Sequence, residues 1–154
     1  MNVLLAALVL AQSALAPILN AQHWIGTKPT ATAITGKVVL VDVFTYSCVN
    51  CQNIVPELRK LRQEYSANDL VIIGVHTPEL PGDYIRSNVE KNLKVQGITW
   101  PVAIDNHDKL WDAYGIDAWP TQLFYDRSGH LAKTIVGDSQ DNEVSATIRS
   151  LVGR

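Results

Sequence analysis

Two cysteines occur in this chain of 154 residues, and two residues separate them: Cys48-Val49-Asn50-Cys51. Thiols at this spacing lie on one turn, close enough for a disulfide to close. As a structural staple such a bridge would be poor, because so short a loop removes little entropy from the unfolded chain. A structural zinc site wants four ligands, and the chain offers no second C-x-x-C and no paired histidines, only four scattered ones. Covalent haem attachment needs a histidine directly after the second cysteine, where Gln52 stands. Redox exchange between thiol and disulfide is the favoured chemistry.

Asp42 is the second signal. It interrupts the apolar run Val38 to Phe44, which reads as a strand covered on both faces. An ionised carboxylate is costly there, so burial should raise its pKa towards neutrality, where it can accept and return a proton. It precedes Cys48 by six residues and could lie beneath the start of the following helix, placed to deprotonate Cys51. The bland reading is an edge-strand carboxylate in water; the nearby cysteines favour the functional one. A third, weaker signal is Trp119-Pro120-Thr121, where a proline enters a strand. Prolines there sit at an edge or follow a cis bond.

The elements that must position these residues follow from the hydrophobic pattern. Val38 to Phe44 and Leu70 to His76 read as buried strands. From Cys48 to Tyr65, Ile54, Leu58, Leu61 and Tyr65 recur at helical spacing, with Pro56 inside the helix. A thiolate at the start of such a helix is stabilised by unpaired backbone N–H groups and the macrodipole. Cys48 is therefore expected to be the exposed nucleophile and Cys51 the more buried resolving thiol. Asp83 is placed as the cap of a helix carrying Ile85, Val89 and Leu93, closed by Gly97. Val102 to Ile104 is a short strand and Lys109 to Tyr114 a short helix. Thr121 to Tyr125 and His130 to Val136 form a hairpin, and Asn142 to Val152 a final helix. Strands alternating with helices, then a hairpin, predict an α/β fold with a central mixed sheet flanked by helices.

Composition agrees with one globular domain. Apolar residues make up 47% and charged residues 18%, and 13 Lys+Arg against 15 Asp+Glu give a net charge of −2. Without a basic run, nucleic-acid binding is not expected. The charge is uneven, since residues 1–27 carry none and the first charged side chain is Lys28. The apolar run Val3 to Ala11, followed by Ala14-Leu15-Ala16, reads as a secretory signal, with Leu19-Asn20-Ala21 as another cleavage zone. An N-terminal anchor or a core helix is the competing reading. The expected organisation is a signal peptide or anchor over residues 1–21 and one domain over 22–154.

The run Val41-Asp42-Val43-Phe44 ahead of Cys48-Val49-Asn50-Cys51, Pro56, and Tyr114 to Thr121 together resemble the thioredoxin superfamily. Gly36 to Cys51 and Val71 to Glu79 resemble more narrowly the extracytoplasmic TlpA-like proteins, and within them the thioredoxin-like domain of DipZ-type proteins. The resemblance implies a thioredoxin fold with an insertion between the second strand and the cis-proline region. It casts Cys48 and Cys51 as nucleophilic and resolving cysteines, Asp42 as the buried proton-transfer carboxylate and Pro120 as the cis-proline facing the disulfide. Trp119 and Thr121 would flank the substrate chain. Departures exist: many TlpA-like proteins carry Asn at the place of Asp42, and a helix glutamate where this chain has Ile54.

The expected activity is thiol–disulfide exchange, with reduction of protein disulfides the preferred direction and no cofactor beyond the Cys48–Cys51 pair. Expected partners are protein disulfides or dithiols and a separate membrane electron donor, since the membrane domain of DipZ-type chains is absent. The chain is expected to be a monomer located outside the cytoplasm, in a bacterial periplasm or on the outer face of the membrane. Two alternatives stay open. Thr45-Tyr46-Ser47-Cys48 resembles the Thr-x-x-Cys of peroxiredoxins, which suggests a thiol peroxidase. A binding module could instead hold a soft metal through Cys48, Cys51 and His76 or His107. His23, His107 and His130 otherwise read as surface residues, and Trp100 and Trp111 as packing.

Overall fold

The computed structural model describes residues 14–138 and 142–153. The apolar run Val3 to Ala11 lies outside the described residues. Six strands form one sheet: β1 (Trp24–Ile25), β2 (Val38–Phe44), β3 (Leu70–His76), β4 (Val102–Ile104), β5 (Thr121–Tyr125) and β6 (Leu131–Val136). Their order is β1-β4-β3-β2-β5-β6. The central strands β4, β3 and β2 are parallel, and β1, β5 and β6 run antiparallel to their neighbours. The mixed sheet expected from the pattern is therefore present, as an α/β thioredoxin-like fold.

Every residue of β2 is buried, which its β-branched composition suits. Because strand side chains alternate, β2 feeds two cores. Val38, Leu40 and Phe44 face one cluster, closed by three helices. These are α3 (Val49–Glu64), which contributes Ile54, Leu58 and Leu61; α4 (Arg86–Gln96), which contributes Val89 and Leu93; and α6 (Glu143–Val152), which contributes Val144 and Ile148. Asp42 falls on this same face by alternation. Val39, Val41 and Val43 face the other cluster, with Leu15, Ile18, Ile34 and Leu110. The helices there are short: α1 (Ala16–Leu19), α2 (Ala31–Ile34) and α5 (Lys109–Ala113).

Helix α3 continues through Pro56 and ends at Tyr65, which is extended. Helix α4 ends at Gly97 with φ 69°, a left-handed cap that glycine adopts without strain. A β-carbon there would lie 2.9 Å from Arg59 Cζ on α3, so the guanidinium rests against the open face of the glycine.

Residues 27–35 contain α2, capped by the Thr30 hydroxyl, which accepts from the Ala33 N–H at 3.2 Å. Asp83 does not cap α4, which starts at Arg86 after Ile85 with no side-chain cap; Asp83 belongs to a separate 3-10 turn, Pro81–Tyr84. Leu15 and Ile18, inside the segment read as signal or anchor, are 1% and 0% exposed and complete the second core. The Ile18 N–H also donates to the Tyr114 hydroxyl at 3.2 Å. Among the described residues no helix is long and apolar enough to cross a membrane.

Candidate active site

Strand β2 delivers the chain into the loop Thr45–Ser47, and Cys48 is the N-cap of α3. The Cys48 N–H donates to the Thr45 carbonyl at 3.3 Å, and the Cys48 Sγ accepts from the Cys51 N–H at 3.2 Å. Sulfur thus takes the place of the hydroxyl or carboxylate that commonly satisfies a helix N-terminus. Gln52, one residue past the pair, donates its side-chain amide to the Tyr46 carbonyl at 2.8 Å and ties the loop to the helix. Both cysteines carry free thiols; Cys48 is half-buried and Cys51 is 3% exposed. Burial pushes the Cys51 thiol well up, helped by its hydrogen bond to Cys48 and by the charge of Asp42. The contrast between an accessible and a sheltered thiol is thus built into the first helical turn.

Asp42 is 2% exposed, on the sheet face that Cys51 covers. Burial raises its pKa from 3.8 to about 7, against the opposing effect of a hydrogen bond from Gln122. That bond runs from Gln122 Nε2 to Asp42 Oδ1 at 3.1 Å, and the two residues stand opposite each other in the β2–β5 register. Gln122 Oε1 is buried and has no partner among the described residues. On the other side Asp42 is level with Gly74, where a β-carbon would lie 2.9 Å from Val102 Cγ2 and 3.1 Å from Phe44 Cε1. The floor beneath the cysteines is closely packed.

The Trp119-Pro120 peptide bond is cis. Val43 pairs with Thr121, so Pro120 stands level with Phe44, at the end of β2 from which the cysteine loop leaves. Trp119 packs with Trp111, ring centroids 4.3 Å apart, and donates its indole N–H to the Thr77 carbonyl at 3.1 Å. Thr121 is different: it is 2% exposed, and its hydroxyl donates to the Ala118 carbonyl at 2.8 Å. Its side chain is committed inside the sheet end rather than presented to a groove.

Sequence reasoning missed a second polar cluster on the other flank of the loop. Asp83, 1% exposed, accepts the hydroxyls of Thr45 and Ser47 at 2.9 and 2.8 Å. Burial alone would raise its pKa, yet hydrogen bonds from the Leu80 N–H, Ser47, Thr45 and the Glu79 N–H hold it below the ordinary carboxylate value. His76, fully buried, accepts the Tyr46 N–H on Nε2 at 3.3 Å, and burial lowers its pKa to about 4. The ring is therefore neutral and stacks on Tyr46. The one signal that could have revealed this cluster is an aspartate two residues after Pro81, which fits a tight turn as well as a helix cap. Among the described residues no three His, Cys, Asp or Glu side chains gather as metal ligands, so the Cys48, Cys51 and His76 or His107 set is not assembled.

Fold and paired thiols define a thioredoxin-like protein. A solved structure described as a thiol-disulfide isomerase from Corynebacterium glutamicum superposes with a TM-score of 0.77 at 23% identity, covering 87% of this chain and 93% of that one. A model of the AhpC/TSA family matches residues 13–134, and the chain belongs to that family. Protein DipZ of Mycobacterium tuberculosis is 35% identical over 128 residues, which is 82% of this chain and 18% of DipZ. The chain thus spans under a fifth of that relative's length. Thiol-disulfide oxidoreductase ResA of Geobacillus thermodenitrificans is 27% identical over 126 residues, 82% of this chain and 70% of ResA.

Proposed function

We propose that this protein is a thiol–disulfide oxidoreductase that reduces protein disulfides through Cys48 and Cys51. The observation that carries the reading is the arrangement at the start of α3. A half-buried sulfur receives the Cys51 N–H, a buried second thiol lies one turn on, and a carboxyl of pKa about 7 lies on the sheet beneath. Relatives named as oxidoreductases support the same activity. In the forward reaction the Cys48 thiolate attacks a substrate disulfide, forms a mixed disulfide and releases one substrate thiol. Asp42, half ionised near neutral pH, takes the Cys51 proton as Cys51 attacks the Cys48 sulfur. The Cys48–Cys51 disulfide forms and the second substrate thiol leaves, so two electrons pass to the substrate. Trp119 and Pro120 supply the apolar wall beside the exchange. Two electrons and two protons, supplied by a membrane electron donor outside the cytoplasm, then restore the dithiol.

The peroxidase alternative needs a free hydroxyl at Thr45 to position peroxide. That hydroxyl is fully buried and bonded to Asp83, which favours disulfide exchange. The test compares insulin-disulfide reduction with peroxide consumption by the reduced protein. Reduction of insulin should dominate and vanish in Cys48→Ala, and Cys51→Ala should accumulate a mixed disulfide visible by mass. Undiminished turnover in Cys48→Ala would sink the mechanism.

A further inference from the structure

The 3-10 turn Pro81–Tyr84 lies in the segment between β3 and α4, and one of its side chains reaches back to the cysteine loop. Asp83 Oδ2 accepts from Thr45 Oγ1 at 2.9 Å, Ser47 Oγ at 2.8 Å, the Leu80 N–H at 2.9 Å and the Glu79 N–H at 3.2 Å. Thr45 and Ser47 stand three residues and one residue before Cys48, and the Thr45 carbonyl receives the Cys48 N–H. Two side chains of the cysteine loop and two backbone groups just ahead of the turn therefore meet on one oxygen. All four donors are neutral, so they hold the carboxylate in place without cancelling its charge. The Tyr46 phenol oxygen lies beside Gly82 of the same turn, and after burial the Asp83 charge is the next cause raising its pKa above the ordinary value.

We propose that Asp83 is a positioning residue for Cys48. Its carboxylate pins the Thr45–Ser47 loop that presents the thiol, and its fixed negative charge opposes charge on the reduced pair, biasing Cys48–Cys51 towards the disulfide and so towards electron donation. The proposal rests on the reading that this pair exchanges with disulfides, and it assigns a determinant of the direction. A mainly structural Asp83 would affect folding and leave the redox equilibrium where it is.

The test uses the full chain equilibrated with glutathione, in which two protein thiols and one oxidised glutathione give the Cys48–Cys51 disulfide and two reduced glutathiones. Asp83→Asn keeps the shape and removes the charge; its equilibrium constant should move about tenfold towards the dithiol, which is about 30 mV for a two-electron couple. Ser47→Ala keeps the charge and cuts the tether next to Cys48. It should slow reaction of Cys48 with a small neutral disulfide about tenfold, as expected for a displaced nucleophile. Circular dichroism verifies that each variant is folded. An Asp83→Asn equilibrium within about twofold of the parent overturns the proposal; should that variant not fold, an unchanged rate in Ser47→Ala overturns it. Because glutathione is the partner, a chain that shows both shifts yet leaves insulin intact would overturn the proposed function and leave the role of Asp83 standing.

Discussion

Asp42, on β2 beneath Cys51, and Asp83, in the turn beside the cysteine loop, are both almost wholly buried, at 2% and 1% exposure. Their ionisation nevertheless runs in opposite directions. Asp42 has one donor, Gln122, and burial takes its pKa up to about 7. Asp83 has four donors on one oxygen; burial is again the largest influence, but the hydrogen bonds together overcome it. Burial alone therefore does not decide the state of a carboxylate; the number of donors facing it does. The sparsely bonded one can change its proton near neutral pH and suits transfer. The fully bonded one stays charged and suits holding.

The largest effect should come from removing the Asp42 carboxyl. Its folded pKa exceeds the unfolded value, so its contribution favours the folded state fully below about pH 4 and is lost as pH rises through 7. At about 1.36 kcal/mol per pH unit, the difference reaches about 4 kcal/mol above pH 7. Asp42→Asn should therefore unfold at higher denaturant concentration than the parent at pH 8 and at nearly the same concentration at pH 4. The same variant should resolve mixed disulfides roughly a hundredfold more slowly, as expected when a general base is lost. Asp83, with its lowered pKa, has the opposite sign: its contribution is present above about pH 4 and is lost on acidification. If Asp42→Asn and Asp83→Asn showed parallel stability–pH curves, the contrast between the two sites would fail.

A smaller effect should follow from Gln122→Met. The Gln122 amide is the hydrogen bond that lowers the Asp42 pKa, so removing it should move the pH midpoint of mixed-disulfide resolution upwards by about one pH unit. Stability should change little at low pH, because Gln122 Oε1 is already buried without a partner among the described residues. A midpoint that stays in place would assign the pKa of Asp42 to burial alone.

The two sites were unequally legible in the sequence. Asp42 announced itself because a single polar residue broke a continuous β-branched run, and the period of a strand fixes its face from neighbours alone. Cys48 and Cys51 were legible for the same local reason: their spacing and the helix after them are contiguous. Gln122 needed the pairing of β2 with β5, 80 residues apart, and no local pattern sets that register. Asp83 was read as a helix cap because Pro81-Gly82-Asp83 precedes a helical period, and turn and cap use the same residue types. Its real partners, Thr45 and Ser47, lie 38 and 36 residues earlier. Leu15 and Ile18 were apolar enough for either a leader or a core, and their packing with Val39 and Val41 lay beyond any local pattern.

The smallest effect sharpens the comparison from outside it. Glu90 on α4 pairs with Arg86 at 2.7 Å, a shorter contact than any made by Asp42 or Asp83, but the two side chains are 45% and 52% exposed. Water screens the pair, and Arg86 also donates to the Trp24 carbonyl, which holds the guanidinium independently of Glu90. Glu90→Gln should therefore change unfolding free energy by less than about 0.5 kcal/mol and leave both the glutathione equilibrium and the pH profile of resolution unmoved. The measurement is a denaturant titration at pH 5 and pH 8 beside the two buried variants. A large shift here would mean that net charge, not the local count of donors in a buried site, sets the behaviour of the carboxylates, and the distinction between Asp42 and Asp83 would lose its basis.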